Sequence, residues 1–320
     1  MAPDWTELAG RLANACPTSE VSVEFAMGSR TTYRVGGVAR VGIVVNDIDE
    51  VANLAAIVSG DVVPTVVIGR GSNLLVAEQG FEGVAIVLGP AFAYGRVADA
   101  TVSAGAAEPL PKLARTTVGH GLTGFEWAVG VPGSVGGAVR MNAGGHGADI
   151  AGSLRSVVLA DLVTGAVTEI RADDLELSYR SSNIAPHQVV LEATFDLVAG
   201  DPQKSQAQLS EIVRWRLANQ PGGQNAGSVF TNPAGDSAGR LIDAAGGKGL
   251  RVGSANVSEK HANFVQSEPD GSSDDILLLM KKIRSLVRDH SGVLLNVETR
   301  LVGFSEDATR ALYENSMGEV

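Results

Sequence analysis

The stretch VPGSVGGAVRMNAGG (131–145) decides how this chain is read. Five of its fifteen residues are glycine, and Arg140 is its only charged side chain. Glycine inside regular structure costs roughly 0.5–1 kcal/mol relative to alanine, so a cluster calls for a reason. A tight surface turn accounts for one or two glycines, rarely for a run mixed with Ser134 and Asn142. The alternative is an anion cradle, in which consecutive backbone N–H groups converge on a phosphate. A second loop, GRGSNLL (69–75), follows the short strand pattern Thr65–Ile68. Alone, its Gly69, Arg70, Gly71, Ser72 and Asn73 fit an ordinary turn as well as a site. Read with Gly133, Ser134, Gly136 and Gly137, they fit a pyrophosphate covered from two sides.

Composition bounds the ligand and the setting. The 320 residues suffice for two or three modest domains. No apolar run approaches the ~18 residues that span a bilayer. The opening MAPDWTELAG carries Asp4 and Glu7 in place of a signal peptide's basic region, so a cytoplasmic location is expected. Cys16 is the only cysteine, which excludes an internal disulfide. A net charge of −11 argues against nucleic acid or a membrane surface as partner, and no obligate protein partner is evident. An anionic ligand therefore needs locally placed Arg and Lys.

Periodicity gives an α+β reading in three regions with a tail: 1–83, 84–198, 199–308 and 309–320. In the first, Val41–Val45 and Thr65–Ile68 read as strands around a helix carrying Val51, Leu54, Ala55 and Val58. The second has strand patterns at 84–88, 154–160, 166–170 and 189–197, and a helix near 110–118. AGDPQK (199–204) marks the next boundary. Beyond it come a helix through 209–218, a helix carrying Ile276, Leu279, Met280, Ile283, Leu286 and Val287, and a closing strand within 293–302. The last dozen residues read as a frayed polar tail.

The familiar nucleotide fingerprints are missing. No GxGxxG follows a strand, and GGKGL (246–250) lacks the rest of a Walker loop. No H-E-x-x-H or paired-cysteine spacing points to a metal, and no G-x-S-x-G elbow marks an acyl-transfer serine. The histidines at 120, 146, 187, 261 and 290 are scattered, and each alone reads as structural.

Eight blocks taken in order nevertheless resemble one family. They are TTYRVGG (31–37), GRGSNLLV (69–76), VPGSVGGAVRMNAGGHG (131–147), SYRSS (178–182), AGSVFTNP (226–233), AGRLIDAAG (238–246), VSEKHANF (257–264) and VETRLVG (297–303). Together they resemble the UDP-N-acetylenolpyruvoylglucosamine reductases of peptidoglycan precursor synthesis, in the branch lacking a tyrosine-bearing substrate loop. The resemblance implies three α+β domains. Two form a flavin-binding part of the vanillyl-alcohol-oxidase/p-cresol-methylhydroxylase type, with non-covalent FAD reduced by NADPH, and the third binds the UDP-sugar. It further implies Arg180 beside the substrate carboxylate, Ser228 as proton donor and Glu298 as catalytic glutamate. Asn232, Arg214, Arg240 and Lys248 are the candidate substrate contacts. Two departures bear on them: Thr231 replaces a usual lysine, and Gly247 a usual leucine. Two other readings stay open. One is an oxidase or dehydrogenase of the same fold, with flavin attached through His146 or Cys16. The other is a UDP-sugar-binding paralogue without chemistry.

Overall fold

A computed structural model of the chain describes residues 3–313. Packing divides it into two compact units, neither a single run of sequence. The first comprises residues up to Phe25, then 39–70 and 83–216; the second comprises 26–38, 71–82 and 217 onward.

The first unit contains two hydrophobic cores. One lies on a sheet ordered Glu20–Phe25, Ala39–Val45, Phe81–Leu88 (from Gly83 on in this unit) and Thr65–Val67, the last pair parallel. ARVGIVV (39–45) is almost continuously buried, as a central strand covered on both faces must be. Helices α1 (Trp5–Ala15) and α2 (Glu50–Gly60) belong to this core. Asp4 starts α1 by accepting from the N–H groups of Thr6 and Glu7 at 2.9 and 3.0 Å. Leu8 and Leu12, one turn apart, then bury together. Cys16 sits in the same core; burial, with the charge of Glu50 adding, pushes its thiol up to about 11. So placed, it is a poor nucleophile.

The other core packs on an antiparallel sheet ordered Val167–Arg171, Leu154–Asp161, Gln188–Asp196, Thr101–Gly105 and Gly95–Ala98. Around it lie α3 (Leu110–Gly119), α4 (Val135–Arg140) and the N-terminal part of α5 (Pro202–Asn219). Phe125 packs on Phe195 and Trp127, with ring centroids 5.0 and 5.6 Å apart. The break expected at AGDPQK falls ahead of α5, whose Leu209 and Ile212 are buried in this core. The first unit accordingly runs on to Arg216.

The second unit has one core. It joins a small antiparallel sheet (Arg251–Val252, Ala255–Val257, Val265–Ser267) to a parallel pair, Leu74–Val76 with Arg300–Val302. Helices α6 (Ala238–Ala244), α7 (Ser273–Ser291) and α8 (Glu306–Tyr313) complete it. The Ser272 hydroxyl accepts from the Asp274 N–H at 3.1 Å and caps α7. Ile276, Leu279, Met280, Ile283 and Val287 bury one stripe, and Gly292 at φ 75° ends the helix. Tyr33, Val35 and Leu75 bury in this same core, which is why 26–38 and 71–82 belong here.

Two expectations change. The closing strand forms only at Arg300–Val302. The tail begins later than 309, because Leu312 is buried and the Ala311 carbonyl accepts from Arg284 Nη1 at 2.9 Å. Residues 314–320 of that tail lie outside the described residues. Among the described residues no helix is long and apolar enough to cross a membrane, and no group of three His, Cys, Asp or Glu could hold a metal ion.

Candidate active site

The two glycine loops meet within the first unit. A Cβ on Gly69 would stand 2.5 Å from Ser134 Oγ. Ser134 is buried and caps α4, its hydroxyl accepting from the Gly137 N–H at 3.4 Å. The glycines, however, serve different purposes. Gly136 is small because Ala106 presses on it: a Cβ there would lie 2.8 Å from Ala106 Cβ. Its N–H is already committed to the Ala106 carbonyl at 2.9 Å, so Gly136 is a packing residue rather than the phosphate donor expected. Gly71, at φ 61°, faces its own chain in the second unit, where a Cβ would sit 2.4 Å from the Arg30 carbonyl. Gly137 and Gly145 differ: the former has only Ser134 Oγ near, at 3.5 Å, and the latter has nothing within 4 Å.

Whether these loops fit a flavin dinucleotide is read from their donors. Among the described residues, no backbone N–H from Gly69 through Asn73 reaches a protein acceptor. Within the first unit, the open donors of Gly69 and Arg70 at a strand end, with Ser134 against Gly69, fit pyrophosphate oxygens. Asn73 has another duty as well. Its side chain donates to the Glu298 carbonyl at 3.2 Å, and its own carbonyl accepts from the Arg300 N–H at 2.9 Å.

Arg180 stands on a tight turn in which Ser178 and Ser181 exchange both backbone hydrogen bonds, each 3.1 Å. It adopts a left-handed backbone, φ 57°, uncommon for a side chain of that size. Its Nη2 donates to the Gly144 carbonyl at 2.9 Å, and its guanidinium lies 5.1 Å from the Tyr179 ring centroid. The second glycine loop and the SYRSS turn are therefore one piece of structure. His146 packs edge-on to Trp215 at 5.0 Å.

In the second unit Ser228 and Glu298 are brought together through Val229. The Val229 carbonyl accepts from the Glu298 N–H at 2.8 Å, and its N–H donates to the Asn263 carbonyl at 2.9 Å. Asn263 is 3% exposed. Its Oδ1 accepts from the Phe230 N–H at 3.0 Å and its Nδ2 donates to the Phe230 carbonyl at 2.8 Å. Ser228 lines a cavity of about 400 Å³ with Asn232, Arg240, Lys248, Lys260 and His261. Asn232 accepts from the Ala238 N–H at 3.0 Å and so helps start α6.

The cavity's cations are mostly paired. Arg240 holds Asp236 through two bonds and draws that carboxyl down to about 2. Lys248 bonds Asp243 at 2.7 Å. Lys260 donates instead to the Leu217 carbonyl. Burial, with the charge of Lys248 adding, lowers the His261 pKa below its ordinary value. His261 Nδ1 accepts from the Asn263 N–H at 3.2 Å, which leaves the neutral ring's proton on Nε2. Lys260, His261 and Asn263 were present in the VSEKHANF block, but nothing in their spacing separates cavity residues from surface ones. Arg214, on an exposed face of α5, belongs to the first unit and donates to the Ser210 carbonyl at 3.3 Å. The two departures have local causes. Thr231 Oγ1 donates to the Asn296 carbonyl at 3.3 Å, and a Cβ at Gly247 would stand 2.5 Å from Ile242 Cγ2.

Residues 39–170 match the family described as FAD binding domain. With the open donors at Gly69–Asn73, this defines an FAD-dependent oxidoreductase. Residues 219–302 match the C-terminal domain of UDP-N-acetylenolpyruvoylglucosamine reductase. The reductase of that name from Desulforamulus reducens is 36% identical over 93% of this chain and 99% of its own length. That from Chloroflexus aurantiacus is 39% identical over 86% of this chain and 95% of its own. The chain belongs to the UDP-N-acetylenolpyruvoylglucosamine reductase family. The solved Thermus caldophilus structure of that name agrees, with TM-score 0.76, 32% identity, and 89% of this chain and 98% of that one covered. A glucose dehydrogenase, 13% identical at TM-score 0.50, covers 90% of this chain and 63% of that one and shares the fold alone. The flavin-binding fold is the vanillyl-alcohol-oxidase type.

Proposed function

We propose that the chain reduces the enolpyruvyl group of UDP-N-acetylenolpyruvoylglucosamine with NADPH to give UDP-N-acetylmuramate, in the cytoplasm, for peptidoglycan precursor synthesis. The observation that carries the reading is the joining of Ser228 and Glu298 through Val229, with Ser228 on a cation-lined cavity. By function, 1–83 and 84–198 form the flavin-binding part and 199–308 the substrate-binding part. The backbone N–H groups of Gly69–Asn73, with Gly133, Ser134 and Gly137 of the second loop, hold the FAD pyrophosphate without a covalent bond. FAD, when bound, supplies the hydride that originates on NADPH.

The remaining work falls to side chains. Hydride addition at carbon 3 leaves negative charge at carbon 2 that spreads into the carboxylate. The planar guanidinium of Arg180 is suited to carboxylate oxygens, which it can meet with two parallel N–H groups. Ser228 Oγ–H delivers the proton that carbon 2 requires; a weak acid suffices against so basic a carbanion. Glu298 fixes the carboxylate geometry from the segment whose backbone bonds Val229, next to Ser228. Arg240, Lys248 and Lys260 attract the diphosphate, the first two by exchanging Asp236 and Asp243 for phosphate oxygens.

Absorption spectroscopy without air tests the reading. NADPH should bleach the flavin, and the enolpyruvyl substrate should restore its colour. Bleaching without recovery would leave a flavin dehydrogenase acting on another substrate. Substrate binding without bleaching would leave a UDP-sugar-binding protein.

A further inference from the structure

Asn142 is 2% exposed and adopts a left-handed backbone at φ 39°. Every polar atom of its side chain is engaged. Nδ2 donates to the Ser178 carbonyl at 2.9 Å and to Asp149 Oδ2 at 3.2 Å, and Oδ1 accepts from the Ala151 N–H at 3.0 Å. Ser178 is the first residue of the turn that carries Arg180. That turn docks on alternate residues from the last of α4 onward, Arg140, Asn142 and Gly144. The Ser182 hydroxyl donates to the Arg140 carbonyl at 2.7 Å, the Ser178 carbonyl accepts from Asn142, and the Arg180 guanidinium donates to the Gly144 carbonyl. The outer contacts end on backbone carbonyls, which any residue supplies. The central one needs this side chain.

We propose that Asn142 is the positioning residue for Arg180, fixing the SYRSS turn to the segment that leaves the second glycine loop so that guanidinium and loop keep one geometry. The proposal rests on Arg180 meeting the substrate carboxylate. A displacement of about 1 Å in a catalytic group can cost about a hundredfold in rate. A turn freed from its central tether is open to such a displacement.

Asn142→Gly is the informative variant, since glycine accepts φ 39° without strain and removes only the side chain. Asn142→Asp is its companion; it keeps the shape and the acceptor but cannot donate to Ser178. With FAD bound, both should reduce with NADPH at a rate within a few-fold of wild type. Reoxidation by the enolpyruvyl substrate should slow by about a hundredfold. Added to Arg180→Ala, Asn142→Gly should slow reoxidation no further, because a tether matters only while its guanidinium is present. Losses that multiply would overturn the proposal, as would normal reoxidation in Asn142→Gly beside a slow Arg180→Ala. Normal reoxidation in Arg180→Ala would overturn it together with the role of Arg180. Amide hydrogen exchange on the flavin-free protein supplies a readout independent of turnover. The Ser178 and Ser181 amides should exchange faster in Asn142→Gly, and unchanged protection would overturn the tether itself.

Discussion

Arg180 and Ser228 occupy different units and are held in opposite ways. Arg180 stands on a left-handed turn whose docking depends on side chains, those of Asn142 and Ser182 and its own. Ser228 stands on a strand-like segment, bridged to Phe264 and followed by the backbone bonds of Val229 to Asn263 and Glu298. A backbone ladder keeps its geometry whatever side chain it displays, whereas a turn docked by side chains does not. Replacing Ser228 should therefore remove chemistry and leave structure, and replacing a partner of Arg180 should disturb placement.

The largest expected effect tests the backbone-held side. Ser228→Ala should slow reoxidation of reduced flavin by the enolpyruvyl substrate by roughly 10²–10⁴-fold, the usual worth of a positioned acid. Flavin reduction by NADPH should stay nearly normal, since it takes no proton from this hydroxyl. Rapid mixing separates the two half-reactions. Equal losses in both would mean that Ser228 shapes the segment and gives up no proton.

Next comes the side chain that clamps that segment. Asn263→Ala strands the N–H and carbonyl of Phe230, both buried, at about 1–3 kcal/mol for each orphaned group. A stability loss of about 2–4 kcal/mol should appear in urea unfolding. If the ladder outlasts its clamp, folded protein below the denaturation midpoint should keep most of its reoxidation rate. A rate falling as far as in Ser228→Ala would show that this side, too, depends on a single side chain.

How much of this could be read beforehand differs between the same regions. The strands at 154–161 and 188–196 and the helix at 273–291 announced themselves because their apolar periods are local. The glycine loops and the blocks bearing Arg180, Ser228 and Glu298 were legible as motifs. The membership of 26–38 and 71–82 in the second unit was not, since it depends on Tyr33, Val35 and Leu75 meeting helices more than 150 residues away in sequence. Asn142 was visible as an oddity among glycines, but its purpose lies in Ser178, 36 residues on. Glycine counts also misled at one point: Gly136 is glycine for the sake of Ala106.

That last distinction makes a smaller prediction. Gly137→Ala adds a methyl where only Ser134 Oγ is near, at 3.5 Å, and alanine in a helix is favoured over glycine by roughly 0.5–1 kcal/mol. The flavin-free protein should be as stable as wild type or slightly more so, while FAD should bind about tenfold more weakly, roughly 1.4 kcal/mol. Gly136→Ala should instead destabilise the flavin-free fold, because Ala106 must give way. Unchanged FAD affinity in Gly137→Ala would take the second loop out of the phosphate cradle.

The smallest effect is one of pH, and it falls on the Ser228 side. His261, in the cavity beside Ser228, has its pKa lowered from 6.5, chiefly by burial and further by Lys248. As pH falls below that ordinary value the unfolded chain takes up the proton before the folded one does, so protonation favours unfolding. The stability tied to this ring is whole above 6.5 and is lost as pH falls toward its lower folded value. His261→Gln keeps a polar side chain without the titration. Between pH 7.5 and 5.5, wild type should lose more stability than the variant, by less than the Asn263→Ala effect. Urea midpoints at the two pH values give the comparison. An equal loss in both proteins would mean that His261 is as easily protonated folded as unfolded, and that the cavity wall beside Ser228 is wetter than its packing against Phe264, at 4.8 Å between ring centroids, implies.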